Sequence, residues 1–253
     1  MDKDLAAIIA LLLTDGSLTL RTQNRIEIAL DSTSETLHQE FSRLMKTKFG
    51  LNSSRYKIKS RAFSYAVGTE LLNYTGTYRT KFFKETNKFP DTHIPEEIKH
   101  GDAKLIQHFL KYAFTCDGSA GLSIQKGQHT KNCWFFQKRI QLACKHPTLL
   151  EEYKKILEKI GIHSRVSISQ GKLFIENREG IESFCERIKF LDGVVMCGKG
   201  NSVWKGMEKN EMLKTYKFLY KISDSLKNQR FYGGYWMKNF KTKEQIVDFL
   251  KKC

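Results

Sequence analysis

The sequence lacks the features of several protein classes. Its six cysteines form no CxxC pair and no zinc-finger spacing, so we expect reduced thiols rather than disulfides or a structural metal. No uninterrupted apolar run is long enough to span a membrane, and Asp2 and Asp4 interrupt any charged leader of a signal peptide. We therefore expect no membrane partner, and a location in the cytoplasm, or in an organellar matrix if an organelle encodes the protein.

Negative charge is scarce relative to positive charge. The 253 residues include 43 lysines and arginines but 27 aspartates and glutamates, a formal net charge of +16. Such an excess favours a polyanionic partner, with nucleic acid ahead of a membrane surface. A hydrophobic content of 40% supports a real core rather than disorder.

Two mostly apolar runs end in Asp-Gly: IIALLLTDG at residues 8–16 and LKYAFTCDG at residues 110–118. The first is apolar on every face, which predicts a buried helix. Gly16 and Gly118 would end the two helices in the left-handed conformation. Asp15 and Asp117 would then lie at helix C-termini, where the helix dipole disfavours a carboxylate. Two such carboxylates make sense if a cation is bound there.

The segments after the two runs also resemble each other. Residues 37–58 and 149–168 each form an amphipathic pattern that closes on Gly-aliphatic and enters a strand containing Ser-Arg. An internal duplication explains this repeat economically. Further helical patterns cover residues 179–190, 209–226 and 243–250, and a hairpin is expected from residues 121–124 and 134–144, with its tip at 126–133.

Basic residues recur on predicted strand faces. Residues 54–60 alternate as a strand and residues 63–67 as its partner, with Ile58 on the buried face. A purely positive face is costly without an anion nearby, and arginine and glutamine can form bidentate hydrogen bonds to guanine and adenine. The candidate DNA contacts are Arg25, Arg55, Lys57, Lys59, Arg61, Gln137, Arg139, Gln141 and Arg165.

The paired Asp-Gly motifs and their repeated sequels resemble the LAGLIDADG homing endonucleases of the single-chain, two-motif type. The resemblance covers roughly residues 5 to 200. It implies an α/β (α+β) fold of two pseudo-twofold αββαββα halves, with the motif helices at the interface and two antiparallel sheets forming a DNA-binding saddle. We expect a first half at residues 1–75, a basic linker at 76–100, a second half at 101–200 and a helical extension at 201–253.

The resemblance also implies a chemistry. Asp15 and Asp117 would bind Mg²⁺ or another divalent cation and serve in catalysis, with Lys81 and Lys199 as basic helpers. Magnesium prefers few protein carboxylates plus waters and substrate oxygens, which one aspartate per half satisfies. The implied activity is a double-strand break in a long DNA target, made by a monomer. Two alternatives stay open: an intron maturase that binds intron RNA on the same scaffold, and a noncatalytic DNA-binding regulator.

Overall fold

The computed structural model describes residues 1–22, 24–126, 134–197, 203–227 and 240–252. The helices in these ranges are α1 Lys3–Thr14, α2 Glu35–Phe49, α3 Tyr65–Thr75, α4 Glu96–Lys99, α5 Ala103–Asp117, α6 Pro147–Lys159, α7 Arg178–Arg187, α8 Lys209–Lys227 and α9 Lys243–Leu250. The strands are β1 Gly16–Thr22, β2 Arg25–Asp31, β3 Ser54–Tyr56, β4 Lys59–Phe63, β5 Gly118–Lys126, β6 Trp134–Ala143, β7 Arg165–Ser167 and β8 Lys172–Ile175. Within these ranges, every helix is too short or too polar to cross a membrane.

Two halves repeat one order of elements, helix-strand-strand-helix-strand-strand-helix. The first runs from α1 to α3 and the second from α5 to α7. Each contains an antiparallel four-stranded sheet, with strand orders β1-β2-β4-β3 and β5-β6-β8-β7. The motif helices α1 and α5 pack against each other. Residues 5–13 of α1 are almost fully buried, as a helix that is apolar on all faces requires. The predicted fold class is confirmed.

Side-chain alternation gives each sheet a helix-facing side and an outer face. Ile26, Ile28 and Leu30 of β2 point toward the helices, as do Ile140 and Leu142 of β6. The residues between them therefore lie on the outer face. The two ladders begin at equivalent pairs, Gly16 with Leu30 and Gly118 with Leu142, so positions can be matched between the halves.

The predicted strand over residues 54–60 is wrong in extent. It is two short strands, β3 and β4, joined by a turn in which Lys57 has a φ of 54°. The prediction of a partner strand at residues 63–67 is wrong too, because the Ser64 side chain accepts from the Val67 amide at 3.2 Å and caps α3. Ile58, expected on the buried face, lies in the turn and is 56% exposed.

The expectation of left-handed glycines after the motif helices is also wrong. Gly118 is extended, with φ −93° and ψ 159°, and Gly16 does not have a positive φ. Glycine is required at both positions because there is no room for a Cβ. A Cβ on Gly16 would lie 2.4 Å from Leu12 Cα, and one on Gly118 would lie 2.4 Å from Phe114 O. Each strand begins so close to the end of its motif helix that no larger residue fits at the junction.

The other predicted helices are present, and Gly50 and Gly161 do have positive φ at the ends of α2 and α6. The hairpin of β5 and β6 is confirmed, while its predicted tip lies outside the described residues from 127 onward. The proposed domain boundaries stay a prediction. The C-terminal region packs on β5: the Trp204 indole donates to Leu122 O at 2.8 Å, and the Tyr216 hydroxyl donates to Gly121 O at 2.6 Å.

Candidate functional site

The C-terminal ends of α1 and α5 bring Asp15 and Asp117 together. The Asp15 amide donates to Leu11 O at 3.1 Å and closes α1, and its own carbonyl accepts from the Asp31 amide at 2.9 Å. Asp117 is the last residue of α5. The two motifs, far apart in the chain, thus place one carboxylate each at the same end of the central helix pair. This is the arrangement that the repeat predicts.

Burial dominates the electrostatics of the pair. It raises the pKa of Asp15 to about 6, against a lowering by the Lys209 charge. Burial, together with the charge of Asp15, raises the pKa of Asp117 to about 7. No ion pair to either carboxylate is found in the described part of the chain. The Lys209 charge favours ionisation of both carboxylates and a Cys116 hydrogen bond favours ionisation of Asp15, but burial outweighs these contacts.

Lys209, the first residue of α8, carries a positive charge that acts on both aspartates. Its side chain is buried, and its Nζ donates to Thr115 O and Gly118 O, each at 2.6 Å. Burial lowers its pKa, while Cys116, Cys197 and the two aspartates oppose that shift. Lys209 therefore satisfies carbonyls at the end of α5 and places its charge beside the carboxylates.

The sequence prediction missed Lys209. It selected Lys81 and Lys199 as basic helpers. Lys81 is exposed and does not line the cavity next to Asp117, and Lys199 lies outside the described residues. One signal could have pointed to Lys209: a cation in the first turn of a helix is disfavoured by the helix dipole, the mirror image of the case made for the aspartates.

A cavity of about 650 Å³ connects this centre to the outer face of the second sheet. Asp117 and Lys209 lie in its wall, as do three of the predicted DNA contacts, Gln137, Arg139 and Gln141. The structure therefore brings these five residues together. Gln141 is held by a 3.0 Å hydrogen bond to Ser119 Oγ on the neighbouring strand.

A cluster of basic side chains surrounds Glu27 on the outer face of the first sheet. Arg21 Nε and Nη2 donate to the two Glu27 oxygens at 3.1 and 3.0 Å, and Lys59 and Arg61 lie 3.5 and 4.0 Å from the same carboxylate. Burial would raise the pKa of Glu27, but the Arg21 hydrogen bonds and the three positive charges hold it below its ordinary value. Arg25 stacks on Phe63 with 4.0 Å between guanidinium and ring centre.

The remaining candidate contacts are distributed differently from the prediction. Arg55 does not share a face with Lys59, because it pairs in the ladder with Ser60, a buried residue, and forms an ion pair with Glu35 on α2. Lys57 is in the turn, 5.4 Å from the Tyr56 ring. In the second half, Arg165 lies on β7 and pairs with Glu176 at 3.1 Å.

The donor set fits a divalent cation that needs few protein ligands. The described residues contain no group of three or more His, Cys, Asp or Glu side chains that could form a complete metal cage. Two neighbouring carboxylates that have raised pKa values and no ion pair among the described residues match an ion such as Mg²⁺, which takes one or two carboxylates and completes its shell with waters and substrate oxygens. Asp15 and Asp117 are the residues that would hold it.

Paired motif helices, two equivalent sheets and a shared acidic centre define a duplicated α/β protein with one composite site. The sequence matches the LAGLIDADG-like domain family over residues 2–86 and again over 104–189, more than half of the chain. The chain therefore belongs to the LAGLIDADG-like domain family. Among curated proteins, no sequence matches it.

Solved structures of one meganuclease share this fold. The meganuclease I-SmaMI bound to uncleavable DNA aligns with a TM-score of 0.53 at 10% identity, over 95% of this chain and 99% of that chain. I-SmaMI bound to an uncleaved DNA target with calcium gives 0.53 at 12% identity, over 98% and 97%. Mesophilic variants of the homing endonuclease I-DmoI give 0.47 at 17% identity, over 74% and 94%.

Proposed function

We propose that the protein is a site-specific homing endonuclease that makes a double-strand break in a long duplex DNA target by divalent-metal-dependent phosphodiester hydrolysis. The observation that carries the proposal is the pair of carboxylates, Asp15 and Asp117, at the C-terminal ends of the two packed motif helices, where burial raises the pKa of both and the charge of Asp15 raises that of Asp117 further. A noncatalytic DNA-binding protein would have no use for two like charges that burial makes costly. The net charge of +16 suits a polyanionic substrate.

In this proposal each part of the chain has a distinct role. The outer faces of the two sheets bind the DNA, with Lys59 and Arg61 in the first half and Gln137, Arg139 and Gln141 in the second. Asp15 and Asp117 hold the metal, and a bound divalent cation would activate water and stabilise the leaving oxygen. Since one chain supplies both halves, we expect a monomer. Lys209 is a stronger candidate for the basic helper than the exposed Lys81.

The fold of DNA-bound I-SmaMI supports duplex DNA as the partner, because that protein was crystallised with DNA. No observation on this chain favours intron RNA. Structured RNA therefore enters the experiments as a competitor: tighter, sequence-selective binding of RNA would replace the endonuclease proposal with the maturase.

The test compares cleavage with binding. The wild-type protein first selects duplexes from a library with a randomised centre in calcium, and the selected duplex is then offered in magnesium. We expect Asp15→Asn and Asp117→Asn to abolish double-strand cleavage and to retain calcium-supported binding, because each change removes a ligand charge but little volume. Asp4→Asn, at the opposite end of α1, is the matched control and should cleave normally. Wild-type cleavage by either active-site variant would refute the metal assignment.

A further inference from the structure

Each sheet has one carboxylate that fixes arginines on its outer face. On the first sheet this is Glu27, which is 3% exposed, while the side chain of its partner Arg21 is 48% exposed. The carboxylate is therefore buried beneath the outer face of the sheet, and the guanidinium is at its surface. We propose that Arg21 recognises a guanine of the DNA target and that Glu27 is the positioning residue that sets the orientation of its guanidinium. This inference rests on the proposed function and names a specificity determinant within it.

In the described part of the chain, Arg21 donates to Glu27 only and keeps its other N–H donors for a ligand. A guanidinium has five N–H donors in a planar fork. Arg21 uses Nε–H and one Nη2–H on the two Glu27 oxygens, at 3.1 and 3.0 Å. The remaining donors point away from the carboxylate, in the plane that the bidentate pair defines. Guanine presents O6 and N7 as adjacent acceptors in the major groove, and arginine is the side chain that matches them best. A long side chain fixed in advance also loses less rotamer freedom on binding.

The charge around Glu27 indicates an external anion or acceptor. Arg21, Lys59 and Arg61 share the one buried carboxylate, and Lys59 also reaches Asp31 at 3.7 Å. Three cations therefore exceed the two carboxylates they contact. Arg61 Nε is buried and has no hydrogen-bond partner among the residues that the structure describes. By contrast, Arg55 and Glu35 pair one to one on the side facing α2.

The second sheet has a related carboxylate at a different ladder position. Arg139 Nε lies 2.8 Å from one oxygen of Glu176 but without hydrogen-bond geometry, and Arg165 donates from Nε and Nη2 to the other oxygen at 3.3 and 3.1 Å. Both guanidinium groups also contact the Phe174 ring, at 4.8 and 4.7 Å. In the second half, Arg139 pairs with Gly121 at the ladder position where Glu27 pairs with Thr19 in the first half. A base preference that depends on Glu27 should therefore be confined to one half of the target, and one that depends on Glu176 to the other half.

The experiment is selection of binding sites from a randomised duplex library in calcium, followed by affinity measurements on single-base variants of the selected duplex. Arg21→Lys keeps the charge but loses the planar fork. Glu27→Gln keeps the shape but loses the charge. We expect both to reduce the preference for guanine at one shared position by about tenfold, while the rest of the target stays as in wild type. Glu35→Gln, which breaks the Arg55 pair on the opposite side, is the matched control and should leave every base preference unchanged.

The possible outcomes distinguish a failure of this inference from a failure of the proposed endonuclease function. A wild-type protein that selects no sequence overturns the proposed function, and the inference with it. A selective wild type whose preferences survive both Arg21→Lys and Glu27→Gln overturns the inference alone. An even loss of affinity for all sequences in Arg21→Lys also overturns it, since that result would place Arg21 on phosphate. If Glu27→Gln does not fold, the base preferences of Arg21→Lys decide whether the inference holds.

Discussion

Replacing Asp117 by asparagine should stabilise the metal-free protein at alkaline pH. Burial and the charge of Asp15 raise the pKa of Asp117 from 3.8 to about 7. The ionised carboxylate therefore disfavours the folded state: this destabilisation is absent below about pH 4, grows as pH rises toward 7 and is complete above it. At about 1.4 kcal/mol per pKa unit, the three units correspond to at most roughly 4 kcal/mol, since Asp117 is partly exposed in the wall of the cavity. A buried asparagine amide with imperfect partners costs about 1–3 kcal/mol, so the net gain should be about 1–3 kcal/mol.

The assay is urea unfolding of wild type and Asp117→Asn in EDTA at about pH 8 and about pH 5, the two sides of the expected titration. The variant should be more stable at the higher pH, with a smaller difference at the lower. Excess magnesium should then reverse the order, because a metal that binds the folded state stabilises wild type by mass action. Asp4→Asn should show no such gain, since an acidic residue in the first turn favours its helix.

A wild-type protein that is more stable than Asp117→Asn in EDTA at about pH 8 would refute this reasoning. It would mean that the ionised carboxylate has favourable partners in the fold. Asp117 would then be a structural residue, and the case for a metal at this position would fail together with the predicted magnesium effect.

Three further experiments test other parts of the structure. Ile58→Ala should change stability by less than about 0.5 kcal/mol because Ile58 is exposed, whereas Ile28→Ala in the core should cost about 2–5 kcal/mol, both by urea unfolding. Gly118→Ala should cost more than about 1 kcal/mol because its Cβ would meet Phe114 O, while Gly121→Ala, with its nearest atom at 3.9 Å, should be tolerated. DNA affinity should fall with salt by a log–log slope of about 0.9 per neutralised phosphate; a flat salt titration would contradict DNA binding through the basic faces.

Long periodic segments made most of the fold predictable from the sequence. The motif helices, α2 and α6 have clear apolar patterns, and glycines with positive φ also mark the ends of α2 and α6, so the positions of these helices follow from the sequence alone. The hairpin of β3 and β4 did not follow, because strands this short leave alternation ambiguous. A turn at Lys57 reverses which residues share a face, and nothing in the residue types marks it.

The candidate site was predictable where the duplication encodes it and not elsewhere. Asp15 and Asp117 end two matched motifs, so symmetry indicates that they meet. The face on which Arg55 lies was predicted wrongly because the turn at Lys57 was not foreseen. Its partner Glu35 is on another element, α2. The group of Arg21, Lys59 and Arg61 around Glu27 depends on the pairing of three strands, which a single sequence does not reveal.

Lys209 shows why the acidic centre is not symmetric although the fold is. Its Nζ contacts the Gly118 carbonyl across 91 residues of chain, and it comes from the C-terminal region rather than from either repeated half. Trp204 and Tyr216, on either side of it in sequence, bind backbone carbonyls of β5, so this region is fixed to the second sheet at three points. A buried lysine held in this way adds positive charge at the exit of α5, beside Asp117, through carbonyls of the second half alone. The two aspartates are therefore equivalent in the repeat but not in their surroundings, and the C-terminal region belongs to the site as much as the motif helices do.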